Sequence, residues 1–85
     1  MPEIEVWTLP GCGNCEQAKA YLITNHLTFT ERSLVELRRG EIKDSDALAE
    51  LALNDGAAPL IRVNGHFVTL LALPTILLEA GNGDA

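Results

Sequence analysis

The dipeptide Asn64-Gly65 constrains this chain more than any other local feature. It lies between Leu60-Ile61-Arg62-Val63 and His66-Phe67-Val68-Thr69. A two-residue loop between paired strands favours the type I′ turn, which needs positive φ at both central positions, and Asn-Gly accepts that conformation readily. The segment therefore reads as a β-hairpin. An isolated hairpin is marginal in water, so the chain must supply a larger sheet for it to join.

Upstream, Ile4-Glu5-Val6-Trp7-Thr8 alternates apolar and polar residues and predicts a strand, which Leu9-Pro10-Gly11 breaks. From Cys15 the apolar side recurs at Ala18, Leu22 and Ile23, a helical spacing that Asn25 can end. Leu27–Ser33 predicts a second strand, with Phe29 inward and Glu31 and Arg32 outward or near its end. Leu34–Lys43 is charged and has no decisive period. Asp44 or Ser45 caps a helix through Ala47, Leu48, Leu51 and Ala52, stopped by Asn54-Asp55-Gly56. Pro74 fits the first turn of a last helix, Thr75–Ala80, closed by Gly81. The tail over residues 81–85 has nothing apolar to anchor it and is expected to be flexible.

The predicted order is β-α-β-α-β-β-α. A helix joining the first two strands implies a right-handed parallel crossover, and the closing hairpin adds an antiparallel edge. The expected fold class is therefore α/β: a three-layer sandwich with a mixed four-stranded sheet, two helices on one face and one on the other. With 85 residues there is room for one domain and one modest core.

Twelve acids against six bases leave a net charge of −6. That argues against nucleic acid, whose phosphates need clustered Lys and Arg, and against anionic membrane surfaces. Met1-Pro2-Glu3 opens with neither a basic region nor an apolar stretch, so no secretory signal is expected. The apolar run near Val68–Leu73 is too short to span a bilayer. A cytoplasmic, monomeric protein is the resulting expectation.

Both cysteines fall in one motif, Cys12-Gly13-Asn14-Cys15. A close pair without further cysteines reads as redox chemistry or metal binding rather than a disulfide framework. Structural zinc usually takes four ligands, and the spacing of His26 and His66 fits no zinc-finger pattern, so no intrachain metal is expected. Both histidines are expected to be exposed and Trp7 to be core. The context favours redox: a strand, a Pro-Gly turn, then the first Cys as a helix opens. Only a thiolate attacks a disulfide. Helix-terminal N–H groups favour an anion there by ~0.3–1 kcal/mol when exposed and up to ~2 kcal/mol when partly buried. Cys12 sits at the exposed mouth. Cys15 lies about one turn later, is more buried and keeps its proton longer. Cys12 is thus the attacking thiol and Cys15 the resolving one.

Trp7-Thr8-Leu9-Pro10-Gly11-Cys12-Gly13-Asn14-Cys15 resembles the aromatic-Thr-Lys-Pro-Gly-Cys-x-x-Cys segment of glutaredoxins and the related NrdH-type redoxins. Ala18-Lys19 and Leu22 match the family's downstream pattern. Gly56-Ala57-Ala58-Pro59 is similar to its Gly-x-Thr-Val-Pro segment, and Val63-Asn64-Gly65 to its Ile-Asn-Gly hairpin. The resemblance implies a thioredoxin-like fold and a dithiol–disulfide oxidoreductase that reduces protein disulfides. It implies that Pro59 is cis and faces the dithiol, and that the Ala58 backbone pairs with an extended substrate segment. It places Leu9, Gly13 and Asn14 beside the substrate.

Leu9 stands where the family carries Lys or Arg, and Gly13-Asn14 replaces its Pro-aromatic pair. The glycines and Asp that hold glutathione after the last strand are replaced by Thr69-Leu70-Leu71-Ala72-Leu73-Pro74. The resemblance thus implies a weakened glutathione site and an apolar surface suited to a protein. No bound cofactor is expected, and the reductant is glutathione or an NADPH-linked thioredoxin reductase. Two alternatives stand beside this: an NrdH-like electron donor to ribonucleotide reductase, and a non-catalytic binding or metal-cluster module.

Overall fold

The computed structural model describes residues 2–83, with side chains up to residue 78. Its elements are β1 (Ile4–Thr8), α1 (Gly13–Thr24), β2 (Thr30–Ser33), α2 (Leu34–Arg38), α3 (Ser45–Leu53), β3 (Leu60–Val63), β4 (His66–Val68) and α4 (Leu73–Gly83). The strands form one mixed sheet in the order β2-β1-β3-β4. β1 runs parallel to β2 and antiparallel to β3, and β3 runs antiparallel to β4. This is the expected order with one short helix more.

The alternation of β1 separates two cores. Ile4 and Val6 face α1 and α4, packing with Ala18, Leu22, Ile61, Val63 and Leu73. Trp7 faces the other way, where Leu34 and Leu37 of α2, Ala47 and Leu51 of α3, and Leu60 enclose it. Trp7 is fully buried, as expected of a core residue.

Several boundaries differ from the sequence expectation. Ile23 is 64% exposed rather than on the buried side of α1. β2 begins at Thr30, not Leu27. The Leu27 N–H bonds back to the Leu22 carbonyl and His26 adopts φ 58°, so this stretch closes α1 before the chain extends. Leu27 and Phe29 still pack on the first core. α2 forms because the Ser33 hydroxyl accepts the Glu36 N–H at 3.2 Å, a cap at the end of a strand. Asp44, rather than Ser45, caps α3 by accepting the Ala47 N–H at 3.0 Å. The turn residues Asn64 and Gly65 have φ 51° and 85°, the I′ signs. α4 starts at Leu73 and continues through Gly81 to Gly83, so Gly81 does not close it. The expected flexible tail falls partly outside the described residues.

One polar cluster ties this frame together. Glu5, on the Trp7 side of β1, accepts from Arg62 Nε at 2.7 Å and from Arg32 Nε at 2.8 Å. Arg62 also reaches the cap residue Asp44 at 2.8 Å. Both guanidinium groups lie over the Trp7 ring, 5.5 and 5.9 Å from its centroid, a cation–π arrangement. Among the described residues, Trp7 Nε1 is the buried side-chain nitrogen without a hydrogen-bond partner. Hydrogen bonds from Arg62 hold the Glu5 carboxyl below its ordinary range against the opposing effect of burial. Arg62, helped by the Ala47 amide, does the same for Asp44.

Depressed carboxyl pKa values stabilise the fold above the unfolded values, and that contribution is lost as pH falls through the folded ones. Stability should therefore fall on acidification below about pH 4.5, and less steeply in Arg62→Met than in the wild type. Asp44→Ala, which removes a cap and an anchor of Arg62, should cost about 1–3 kcal/mol in urea unfolding at neutral pH. A loss under about 0.5 kcal/mol, the ordinary range of surface changes, would contradict this account.

Candidate active site

β1 ends at Thr8, and Leu9-Pro10-Gly11 turns the chain into α1. Gly11 has φ 72°, a conformation in which a Cβ would be strained. Cys12 follows as the N-cap, with extended backbone at φ −89° and ψ 112°. Its Sγ accepts the Cys15 N–H at 3.2 Å. Sulfur thus occupies the place usually taken by a Ser or Asp oxygen.

Both cysteines are free thiols; Cys12 is half-buried, whereas Cys15 is 1% exposed. Burial is the main cause that pushes the Cys15 thiol up to about 11. The neighbouring Cys12 acts in the same direction, while the Leu9 amide and Lys19 oppose it. One dithiol therefore presents an accessible sulfur with a hydrogen-bond donor on it and a buried sulfur that holds its proton.

Two hollows flank this turn. Asn14, Ala58 and Pro59 line one of about 260 Å³, together with Phe67, Thr69 and Leu70. The Ala58–Pro59 bond is cis. The fold thus brings the cis-proline to the same groove as Asn14, the residue before Cys15. Gly13 and Asn14 are exposed at the mouth of α1. Leu9 lies elsewhere: it lines a larger cleft of about 620 Å³ with Pro10, Gly11, Glu16 and Lys19. It is half-buried and packs on the second core. A loop leucine there is more sheltered than its sequence position suggests, because α2 rises beside it.

The leucines after β4 divide. Leu73 is fully buried, Leu70 packs on the first core, and Leu71 is 95% exposed. His26 and His66 are both exposed, as expected.

Sequence reasoning missed two supports of the site. Arg38 of α2 donates to the Gly56 carbonyl at 2.9 Å and so latches the loop that carries Ala58 and Pro59. Lys19 binds Glu16 at 3.0 Å and Glu31 of β2 at 3.1 Å, and Glu31 also accepts from the Thr8 hydroxyl at 2.9 Å. The first leaves no local signal. The second is half visible, since Glu16 and Lys19 are three apart on one helix.

The family model for glutaredoxin matches residues 4–68, a span from β1 to the end of β4 that includes the dithiol and the cis-proline. The chain belongs to the glutaredoxin family. Among curated proteins, this glutaredoxin-family chain is similar to global transcriptional regulator Spx 2 of Lactococcus lactis subsp. lactis and to global transcriptional regulator Spx of subsp. cremoris. Each is 31% identical over 70 residues, covering 82% of this chain and 52% of the relative. The chain thus spans about half the length of the curated relatives it matches. Among solved structures, the thioredoxin-like protein BC3987 superposes with a TM-score of 0.59 at 22% identity, covering 89% of this chain and 97% of that one. A point mutant of the same protein gives 0.62 at 24% identity, covering 91% and 96%. These likenesses show a thioredoxin fold, as expected for a glutaredoxin-family redox protein.

The asymmetry of the dithiol predicts selective alkylation. With limiting iodoacetamide at mildly alkaline pH, peptide mapping should place the label on Cys12. Cys15 in the Cys12→Ser variant should react at least about tenfold more slowly than Cys12 in Cys15→Ser, because only the thiolate reacts and access is limited. Comparable rates would refute the assignment of roles.

Proposed function

We propose that this chain is a dithiol–disulfide oxidoreductase that reduces protein disulfides. The reading is carried by one observation: Cys12 caps α1 with its sulfur on the Cys15 N–H, while Cys15 is buried with its thiol pushed up to about 11. An accessible capped sulfur attacks a substrate disulfide, and a buried neighbour one turn away closes on it to release the reduced product. Substrate lies in the groove of Asn14, Ala58 and Pro59, with the Ala58 backbone pairing an extended segment. Gly13 follows the attacking sulfur at the exposed mouth of α1, and Leu9 lines the cleft on the other side of the turn.

A protein partner suits this surface better than glutathione. Leu9 brings no positive charge to the site, and Leu71 is 95% exposed after β4. An exposed large apolar side chain fits a protein contact better than a small anionic peptide. The regenerating reductant would then be an NADPH-linked thioredoxin reductase, with glutathione as the weaker donor, in a reducing compartment such as the cytoplasm. Among the described residues, no helix is long and apolar enough to cross a membrane.

A second reading has one observation in its favour: both matched curated relatives are named global transcriptional regulators. In that reading the dithiol belongs to a thioredoxin-fold module that is oxidised and reduced without turning substrate over.

Insulin reduction with dithiothreitol separates the two. Catalysis by the wild type that falls below about 1% in Cys12→Ser, while Cys15→Ser accumulates mixed disulfide, supports the enzyme. A wild type no faster than buffer supports the regulatory module. Leu9→Lys should raise turnover with glutathione and its reductase several-fold by supplying the missing charge-assisted contact. Wild-type turnover already equal to that of an ordinary dithiol glutaredoxin would overturn the partner preference.

A further inference from the structure

We propose that Glu50 makes the groove beside the dithiol selective for a cationic substrate segment, a disulfide whose half-cystine is flanked by Lys or Arg. This deepens the oxidoreductase reading and rests on it.

Glu50 of α3 lines the same groove of about 260 Å³ as Asn14, Ala58 and Pro59. Every other residue of that lining is uncharged. Glu50 is half-buried, and its carboxylate accepts the Asn54 side-chain amide at 2.9 Å. The same amide donates to the Glu50 carbonyl at 2.8 Å. Asn54 thus orients the carboxylate without neutralising it. Among the described residues, Glu50 has no salt-bridge partner.

The end of α3 adds to this charge. Glu50 lies in the last turn of Ser45–Leu53, where no basic residue stands. A helix C-terminus carries partial negative charge, which disfavours a carboxylate and favours a cation. A cationic group entering the groove therefore meets the carboxylate and the helix end together. Arg38 and Arg62, the bases on elements around this loop, are committed elsewhere. Arg38 donates to the Gly56 carbonyl, Arg62 is bound by Glu5 and Asp44, and neither lines the groove.

An extended segment laid along Ala58 and Pro59 shares this groove with Glu50. Its residues advance about 3.3 Å each, so side chains flanking the half-cystine meet the carboxylate while the sulfur faces Cys12. Lys and Arg suit that place, because their apolar stems can lie along Phe67 and Leu70 while the charged head reaches Glu50. Glutathione carries two carboxylates against one ammonium, so the same charge disfavours it. Electrostatic complementarity of this kind sets partner choice and association rate more than raw affinity.

The test uses short peptides of the frame Ala-Ala-Cys-Ala-Ala, blocked at both ends, with Ala, Lys or Glu on both sides of the cysteine. Each is supplied as its mixed disulfide with thionitrobenzoate. Cys12 attacks the peptide sulfur; the Cys12–peptide bond forms, the bond to thionitrobenzoate breaks, and the coloured thiolate leaves and is followed by stopped flow. At low salt the wild type should react about threefold faster with the Lys peptide than with the Ala peptide, and about threefold slower with the Glu peptide. The readout is the Lys-to-Glu rate ratio, about tenfold, which should shrink as salt screens the charges. Glu50→Gln should bring the ratio to within about twofold, and Glu50→Lys should invert it. The ratio is internal to each variant, so a partly unfolded preparation leaves it unmoved. Glu41→Gln, which removes the same charge from an exposed site after α2, should keep the wild-type ratio. A wild-type ratio near one, a ratio that survives in Glu50→Gln, or an equal loss in Glu41→Gln would overturn the proposal. A wild type no faster than Cys12→Ser with every peptide would instead sink the dithiol reading, and this proposal with it.

Discussion

Strand β1 is the constraint on which the molecule depends. It pairs in parallel with β2 on one side and antiparallel with β3 on the other. Both its faces are covered, so Ile4 and Val6 seed one core while Trp7 seeds the other. Its remaining inner position, Glu5, is a carboxylate. Taking a carboxylate out of water is costly unless it is paired, and Arg62 and Arg32 supply that pairing from the two adjacent strands. Through Arg62 the same carboxylate is linked to Asp44 and so to the start of α3. Sheet, cap and helix are thereby joined through one residue.

The position of the dithiol follows from this frame. β1 delivers the chain to Leu9-Pro10-Gly11, the turn opens α1, and Cys12 falls at the cap. A helix start offers N–H groups without intrahelical partners, and a sulfur placed there collects one. One turn further the helix faces the sheet, so Cys15 is buried. Burial holds the proton on Cys15, and the Leu9 amide and Lys19 only reduce how firmly. The groove beside Asn14 is completed by the loop after α3, which Arg38 of α2 holds through the Gly56 carbonyl.

The short helix α2 connects these points. Its residues carry charge on one side, and in sequence it has no decisive apolar period. It exists because Ser33 caps it and because Leu34 and Leu37 close over Trp7. It shelters Leu9, lines the cleft beside the dithiol with Glu36, and places Arg38 against Gly56. A five-residue helix is far below the length at which propensity alone sustains it, so tertiary packing supplies what local sequence lacks.

What the sequence by itself determined is local and chemical. Asn64-Gly65 admits one kind of turn, Asp44 can cap a helix, β1 alternates, and Cys12 falls where a helix starts. These depend on φ preferences, hydrogen bonds a few residues long and periods of two or 3.6, all of which a single segment contains. Tertiary structure decided the rest. Leu70, Leu71 and Leu73 are the same residue within four positions, yet Leu73 is core and Leu71 is 95% exposed. Their direction depends on where α4 starts relative to the sheet. Leu9 is half-buried because α2 packs beside it, and β2 starts late because the Leu27 N–H is used to finish α1. Glu31 reads as an outward strand residue, yet it binds Lys19 of α1 because the parallel pairing of β2 with β1 sets it across from Val6, within reach of that helix. Partners distant in the chain have no period and no motif; only the fold brings them together.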